Sequence, residues 1–149
     1  MQRLQFAIQI QAPREKVWKT MLEDETYRQW TEPFSPGSYY VGDWAEGSKV
    51  LFLGPGEGGK EEGMVSRIKA NRPYEYVSIE HLGFVQNGVE DTTSENVKPW
   101  VGAEENYTLK QSDGGTELLI ELDTAPEQRE MFEDMWPRAL EKLKQISER

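Results

Sequence analysis

The chain has 149 residues, of which 36% are hydrophobic, and it carries 17 Lys and Arg against 27 Asp and Glu, for a net charge of −10. This length predicts one domain around one core. The acidic residues are spread along the chain, which argues against nucleic acid and anionic membrane surfaces as partners, because both repel negative charge. The lack of cysteine excludes disulfides, thiolate chemistry and cysteine-ligated zinc.

The N-terminal segment is a predicted strand and not a targeting signal. Apolar and polar residues alternate over Arg3–Gln11, so one face of this strand meets the core and the other meets water. The segment lacks the pattern of a signal peptide, and no apolar run in the chain approaches the roughly 20 residues of a membrane span. We therefore expect a cytoplasmic protein without a membrane partner.

Two short helices are predicted next. Pro13 suits the first turn of a helix whose inner face carries apolar pairs at i,i+4 spacing. Asp24 could cap a second helix that runs through Trp30. Six strand-sized segments divided by turn signals follow, and their short connections predict an antiparallel sheet. These segments are Tyr39–Trp44, Lys49–Leu53, Glu62–Lys69, Tyr74–Leu82, Ala103–Lys110 and Thr116–Leu122.

The C-terminal segment, Ala125–Arg149, has the pattern of a long amphipathic helix. Asp123 or Thr124 could cap its first turn. Pro137 falls on its polar side, where we expect a kink and not a break in the fold, with Asp134 and Arg138 able to bridge the bend. The apolar face carries Phe132, Met135, Trp136, Ala139, Leu140, Leu143 and Ile146. The predicted fold is α+β, in the order β-α-α-β6-α, with a curved antiparallel sheet of about seven strands wrapped around this helix.

Several stretches of the chain also carry a recognisable family pattern in a fixed order. They are Ile10–Trp18, Trp30 at the end of the second helix, Gly63–Ile68, Asn71–Val77, Gly114–Leu118 and Trp136–Leu143. Together they resemble the helix-grip superfamily of START-like (SRPBCC) and birch-pollen-allergen-like domains, and within it the group named after the activator of the heat-shock chaperone ATPase. The resemblance runs from Ile8 to Ile146. It implies a single domain over residues 1–149, an incomplete barrel gripping the last helix, and an apolar cavity between the two.

Three polar residues are candidates for acid–base chemistry in such a cavity. His81 is the only histidine, and its alternation with Val77 and Ile79 predicts that it faces the core or cavity, as a general base or as a hydrogen-bonded wall residue. If Tyr107 faces inward, Glu105 does too, and a carboxylate in an apolar cavity could act as an acid or a base; the alternative is a strand end already in water. No regular metal-ligand spacing surrounds His81, so no metal and no cofactor are predicted.

Aromatic and methionine residues form the predicted lining of the cavity. Such side chains suit flat or flexible apolar ligands, although they could instead fill the core completely. The segment Gly83–Gly102, with Trp100, could be a lid over the mouth. The segment Gly54–Lys60 matches a phosphate loop by spacing, but we interpret it as a plain hairpin loop because Glu61 and Glu62 follow it. The predicted ligand-binding residues are Trp30, Trp44, Phe52, Met64, His81, Tyr107, Met131, Met135 and Trp136.

Three functions are compatible with this sequence. We favour a module that binds a small hydrophobic molecule. The alternatives are a cyclase- or hydrolase-type enzyme that uses the same cavity and a chaperone-associated stress protein. The chaperone activator itself has a separate amino-terminal domain without a counterpart in this sequence, which weighs against a chaperone partner. An exposed strand edge could pair two copies, so a homodimer is compatible with the pattern.

Overall fold

The computed structural model describes residues 1–149, with the side chain of Glu57 outside that description. Its elements follow the predicted order of one strand, two short helices, a run of strands and a long final helix. They are β1 (Gln2–Ile10), α1 (Arg14–Leu22), α2 (Asp24–Trp30), β2 (Tyr39–Gly42), β3 (Lys49–Pro55), β4 (Glu61–Arg72), β5 (Tyr76–Gln86), β6 (Val89–Asp91), β7 (Glu104–Ser112), β8 (Gly115–Thr124) and α3 (Arg129–Ser147).

The strands form one antiparallel sheet in the order β1-β8-β7-β5-β4-β3-β2. The predicted α+β fold is thereby confirmed. The chain closes a hairpin wherever two neighbouring strands are consecutive, because a short turn can only connect antiparallel strands. Strands β1 and β2 lie at the two ends of the strand order.

An eighth strand, β6, lies within Gly83–Gly102, the segment predicted as a possible lid. Strand β5 continues to Gln86 and turns back through Asn87 and Gly88, which both have positive φ, into β6. Two consecutive residues with positive φ make the turn that favours a tight hairpin, and Asn-Gly is its strongest sequence signal. The prediction placed the end of this strand at Leu82 because it overlooked that dipeptide.

The predicted helix caps were wrong. Thr124 is still part of β8, where it pairs with Gln2, and a short 3-10 turn over Pro126–Gln128 separates it from α3. Asp123 instead accepts a 2.9 Å hydrogen bond from Arg3 Nε. Asp24 is the first residue of α2 and accepts hydrogen bonds from Arg28. Both carboxylates therefore bind an arginine, a strong charge-assisted donor, instead of the backbone of a helix end.

The final helix has two halves with different surroundings. In its C-terminal half, Ala139, Leu140 and Leu143 are buried in the core, and Leu143 is 0% exposed. In its N-terminal half, Phe132 and Met135 are only half-buried. Helix α3 runs unbroken past Pro137, which is exposed. The predicted bridge across it is present, with Arg138 Nη2 2.7 Å from Asp134 Oδ2.

We expect Leu143→Ala to lower the free energy of unfolding by about 2–5 kcal/mol, because it deletes a fully buried side chain and leaves a hole beneath α3. The exposed neighbour Glu141 offers a matched control, and Glu141→Ala should change stability by less than about 0.5 kcal/mol. Urea unfolding followed by circular dichroism measures both variants. Equal stability of the two would contradict the assigned packing of α3.

Candidate functional site

A cavity of about 600 Å³ lies between the sheet and the helices α2 and α3. Its wall draws residues from β3, β4, β5, β7 and β8 on one side and from the N-terminal half of α3 on the other. Some wall residues, among them Glu62, Gln128 and Met131, are exposed and mark the opening to solvent. The volume is within the range of about 300–1,000 Å³ that is usual for small-molecule sites.

All nine residues predicted to bind a ligand lie in the wall of this cavity. Several of them, including Phe52, Met64 and Met135, are only half-buried, because one side of each faces the cavity and not other side chains. Trp100, from the segment predicted as a lid, also reaches the wall and packs edge-on against Phe84 with ring centroids 5.8 Å apart. Placement in the wall is observed, whereas ligand binding and lid movement stay predictions.

Trp136 is the aromatic centre of the wall. Its ring centroid lies 4.8 Å from that of Phe34, 6.3 Å from that of Trp30 and 6.1 Å from that of Tyr107. On its other side it stacks on Phe6 of β1 at 6.0 Å. Aromatic pairs at these separations are attractive beyond the area they bury. The wall at this point is therefore a connected aromatic surface that both helices and the sheet share.

The three candidate acid–base residues meet on one part of the wall. The Tyr107 hydroxyl donates a hydrogen bond to Glu105 Oε2, and Glu105 Oε1 lies 3.5 Å from His81 Nε2. Behind the imidazole, Ser66 Oγ lies 2.7 Å from His81 Nδ1. In the tautomer of His81 that carries its proton on Nε2, this N–H points at the Glu105 carboxylate, and Nδ1 accepts a hydrogen bond from the Ser66 hydroxyl. The four side chains form one polar cluster in a largely apolar cavity, which we call the Glu105 cluster.

Ser66 has the neighbours of a catalytic serine but not its position. It is fully buried and is not part of the cavity wall, so no substrate in the cavity can reach its hydroxyl. In a serine hydrolase the nucleophile faces the substrate and the carboxylate lies behind the histidine. Here that order is reversed. Ser66 therefore orients the His81 ring, and Glu105 is the group that meets a bound molecule.

A β-bulge brings Ser66 opposite His81. Val65 pairs with Gly83 but Ser66 pairs with His81, so Leu82 is an extra residue on β5. Because of this extra residue, the side chains after Leu82 alternate in the opposite sense, and Phe84 lines the cavity together with His81. Bulges of this kind turn side chains toward functional sites.

Two tyrosines of the site resist ionisation: Tyr107 in the Glu105 cluster and Tyr27 on α2. Burial, and after it the charge of Glu105, raises the pKa of Tyr107 well above its ordinary value. The same two causes, in the same order, raise the pKa of Tyr27, and a hydrogen bond with Ser38 opposes them only in part. Both phenols stay neutral and keep a proton to donate. The cavity thus disfavours additional negative charge.

Tyr27 and Ser66 are two polar site residues that the sequence analysis missed. Tyr27 lies three residues before Trp30 on α2, so helical spacing already places both on one face and could have revealed it. Ser66 had no comparable signal, because its contact with His81 depends on the bulge.

The fold tests the interpretation of the Gly54–Lys60 segment. Strands β3 and β4 pair through Pro55 and Glu61, so the segment Gly54–Lys60 is a hairpin connection without the following helix that a phosphate loop requires. Among the described residues, no group of three or more His, Asp or Glu side chains is placed to hold a metal ion. In the described part of the chain, no helix is long and apolar enough to cross a bilayer.

Residues 11–148 match the family model described as Activator of Hsp90 ATPase homolog 1-like protein. The chain belongs to this family. The predicted resemblance to the helix-grip superfamily, and to the chaperone-activator group within it, is confirmed. No protein with a curated description matches the chain.

Solved structures with the same fold cover nearly the whole chain. Protein MLL2253 from Mesorhizobium loti is 19% identical with a TM-score of 0.70, over 97% of this chain and 96% of that one. The Aha1 dimer from Colwellia psychrerythraea is 18% identical with a TM-score of 0.68, over 99% and 97%. CalU16 from Micromonospora echinospora is 17% identical with a TM-score of 0.66, over 97% and 75%. At these identities the similarity shows the fold alone.

The raised pKa values predict that the protein loses stability in alkali. Above the ordinary tyrosine pKa of about 10, the unfolded chain releases these phenolic protons while the folded chain keeps them, so the free energy of unfolding falls as the pH rises. Tyr107→Phe removes one such group, and between pH 10 and 11 it should lose about 1 kcal/mol less stability than the wild type.

Urea unfolding at the two pH values measures this difference, with the exposed Tyr74→Phe as the matched control that should follow the wild type. An identical alkaline loss in wild type and Tyr107→Phe would contradict a neutral, buried Tyr107.

Proposed function

We propose that this protein binds a small, predominantly apolar molecule in the cavity between the sheet and α3. The observation that carries the proposal is the 600 Å³ cavity itself, which persists in a domain rich in bulky aromatic residues. Its wall joins a connected aromatic surface to one polar cluster. That combination, apolar lining with few polar groups to orient the ligand, is typical of small-molecule sites.

Unfilled side-chain surface supports a ligand over a filled core. Trp44, Phe52, Met64 and Met135 lie in the wall, yet each stays only half-buried. Burying a large apolar side chain fully is worth roughly 1.5–3 kcal/mol, so a bound apolar molecule would gain much of its affinity from these surfaces. Met64 and Met135 are flexible and could adapt to ligands of different shape.

The neutral dye N-phenyl-1-naphthylamine tests this proposal, because its fluorescence rises when it leaves water for an apolar site. We expect saturable binding of one dye per chain. Met135→Trp adds bulk to the cavity wall and should weaken binding about tenfold or more, since a filled cavity has no room for the dye.

The exposed Val89, which is not part of the wall, provides the matched control. Val89→Trp should bind the dye like the wild type, and thermal unfolding shows whether both variants fold. Equal affinity for the dye in all three proteins would place binding outside the cavity and overturn the proposal.

A second candidate function is acid–base catalysis in the same cavity, of the hydrolase or cyclase type. The observation that favours it is the convergence of His81, Glu105 and Tyr107 on one part of the wall. A carboxylate and an imidazole at 3.5 Å could together move a proton to or from a bound substrate.

A neutral ester of fitting size, 2-naphthyl acetate, tests the hydrolytic form of this function. Hydrolysis by the wild type should exceed that in buffer and should fall about tenfold or more in both His81→Gln and Glu105→Gln, because general acid–base groups contribute at least this much. Rates that are the same in the wild type and in both variants would exclude these residues as catalysts of ester hydrolysis.

A homodimer stays a prediction from an exposed strand edge, and a role in stress stays a prediction from the resemblance, while the sequence weighs against a chaperone partner. The Colwellia relative is described as a dimer. In this chain, β1 and β2 end the strand order, and a second copy could pair at such an edge.

A further inference from the structure

The charged groups in the cavity wall are almost all of one sign. Glu62, Glu105 and Asp123 contribute carboxylates, while the wall, as far as the structure describes it, contains no Lys or Arg. His81 is its single basic side chain. Fatty-acid-type ligands need a cation or several free donors at the buried end; this wall has no Lys or Arg, and the Tyr107 hydroxyl is already bound to Glu105.

The three carboxylates differ in their availability to a ligand. Asp123 Oδ1 accepts from Arg3 Nε at 2.9 Å, and Oδ2 accepts from the backbone N–H of Glu104 at 2.9 Å, so both oxygens are engaged. Glu62 is exposed at the opening, where solvent screens its charge. Glu105 is the carboxylate within the cavity, with a side chain that is only 24% exposed.

One oxygen of Glu105 is left for a bound molecule. Its Oε2 accepts the hydrogen bond from Tyr107. Among the hydrogen bonds and ion pairs of the described residues, its Oε1 has only the long contact with His81 Nε2, at 3.5 Å. A bound molecule that covers this oxygen would withdraw it from water, and a carboxylate oxygen without water is stabilised by a donor. A hydroxyl or ammonium group on the ligand would supply that donor.

The neighbouring tyrosines show how the site treats a second negative charge. Burial and the charge of Glu105 raise the pKa values of both Tyr27 and Tyr107. An anionic group on a ligand would meet the same loss of hydration and the same repulsion. A cationic group would lose hydration too, but it would be attracted by Glu105.

We propose that the cavity selects its ligands by the charge of their polar end. It binds apolar molecules that carry a hydrogen-bond donor, either a neutral hydroxyl or an ammonium group, at Glu105 Oε1, and it rejects carboxylates. This inference rests on the proposed binding function and adds the chemical class of the ligand to it.

Three probes with the same aromatic body test the inference: 2-naphthalenemethanol, 2-naphthylmethylamine and 2-naphthoate. Equilibrium dialysis against the wild-type protein at pH 7 and low salt gives the three affinities. We expect the alcohol and the amine to bind, and the carboxylate to bind about tenfold or more weakly than the alcohol, because like charges at short range repel strongly in a partly buried site. Comparing the affinities of the alcohol and the amine shows whether the site prefers a neutral or a cationic hydrogen-bond donor.

The variant Glu105→Gln assigns the selectivity to one residue. It keeps the size and an acceptor oxygen but removes the charge, so 2-naphthoate should gain affinity while the amine loses it, and the alcohol should change little. Glu117→Gln is the matched control, because it removes the same charge from an exposed position on β8 outside the wall. This control should keep the wild-type order of affinities.

The possible outcomes distinguish a failure of the charge selection from a failure of the proposed binding function. Tight binding of 2-naphthoate, equal to that of the alcohol, overturns the charge selection and leaves the binding function in place. Wild-type selectivity in a folded Glu105→Gln variant overturns the role of Glu105. If none of the three probes binds, the proposed binding function fails for ligands of this size and the inference fails with it. The wild-type comparison stands even if Glu105→Gln does not fold.

Discussion

The packing of Trp136 is the contact on which the rest of the structure depends. Its ring packs against Phe6 of β1, Trp30 of α2, Phe34 of the connection between α2 and β2, and Tyr107 of β7. This one side chain therefore connects the last helix to the sheet and to the second helix. Beyond it, the helix packs tightly into the core. Before it, the helix faces the cavity. Trp136 thus joins the sheet and the helices at the middle of α3, and the cavity lies between them beside the N-terminal half of this helix.

The carboxylates and the histidine of the cavity wall all come from the sheet. The bulge at Leu82 brings Ser66 behind His81, and the alternation of β7 directs both Glu105 and Tyr107 inward. One carboxylate then lies among aromatic rings with a tyrosine and a histidine beside it. Burial, and after it the charge of Glu105, raises the pKa values of Tyr27 and Tyr107, so both features act against a further negative charge at this part of the site.

Local pattern alone accounted for much of this molecule. The periodicity of residues 125–149 predicted both the final helix and its buried face. Alternation in β5 predicted that His81 faces the core or cavity, and alternation in β7 placed Glu105 on the same face as Tyr107. Such predictions succeed because the repeats of helices and strands determine which residues face the same way. The nine predicted ligand-binding residues lie in the cavity wall, but it was the family resemblance, and not periodicity, that implied a cavity between them.

Only the tertiary structure decided which of these side chains meet and what space is left between them. The hydrogen bond between Ser66 and His81 depends on a register shift that neither strand shows by itself. Asp24 and Asp123, which were predicted to cap helices, instead accept hydrogen bonds from arginines, and Arg3 lies 120 residues from Asp123 in sequence. Whether aromatic residues fill a core or surround a cavity depends on how far apart the layers are held. That distance follows from packing between elements, which the pattern of any single element does not contain.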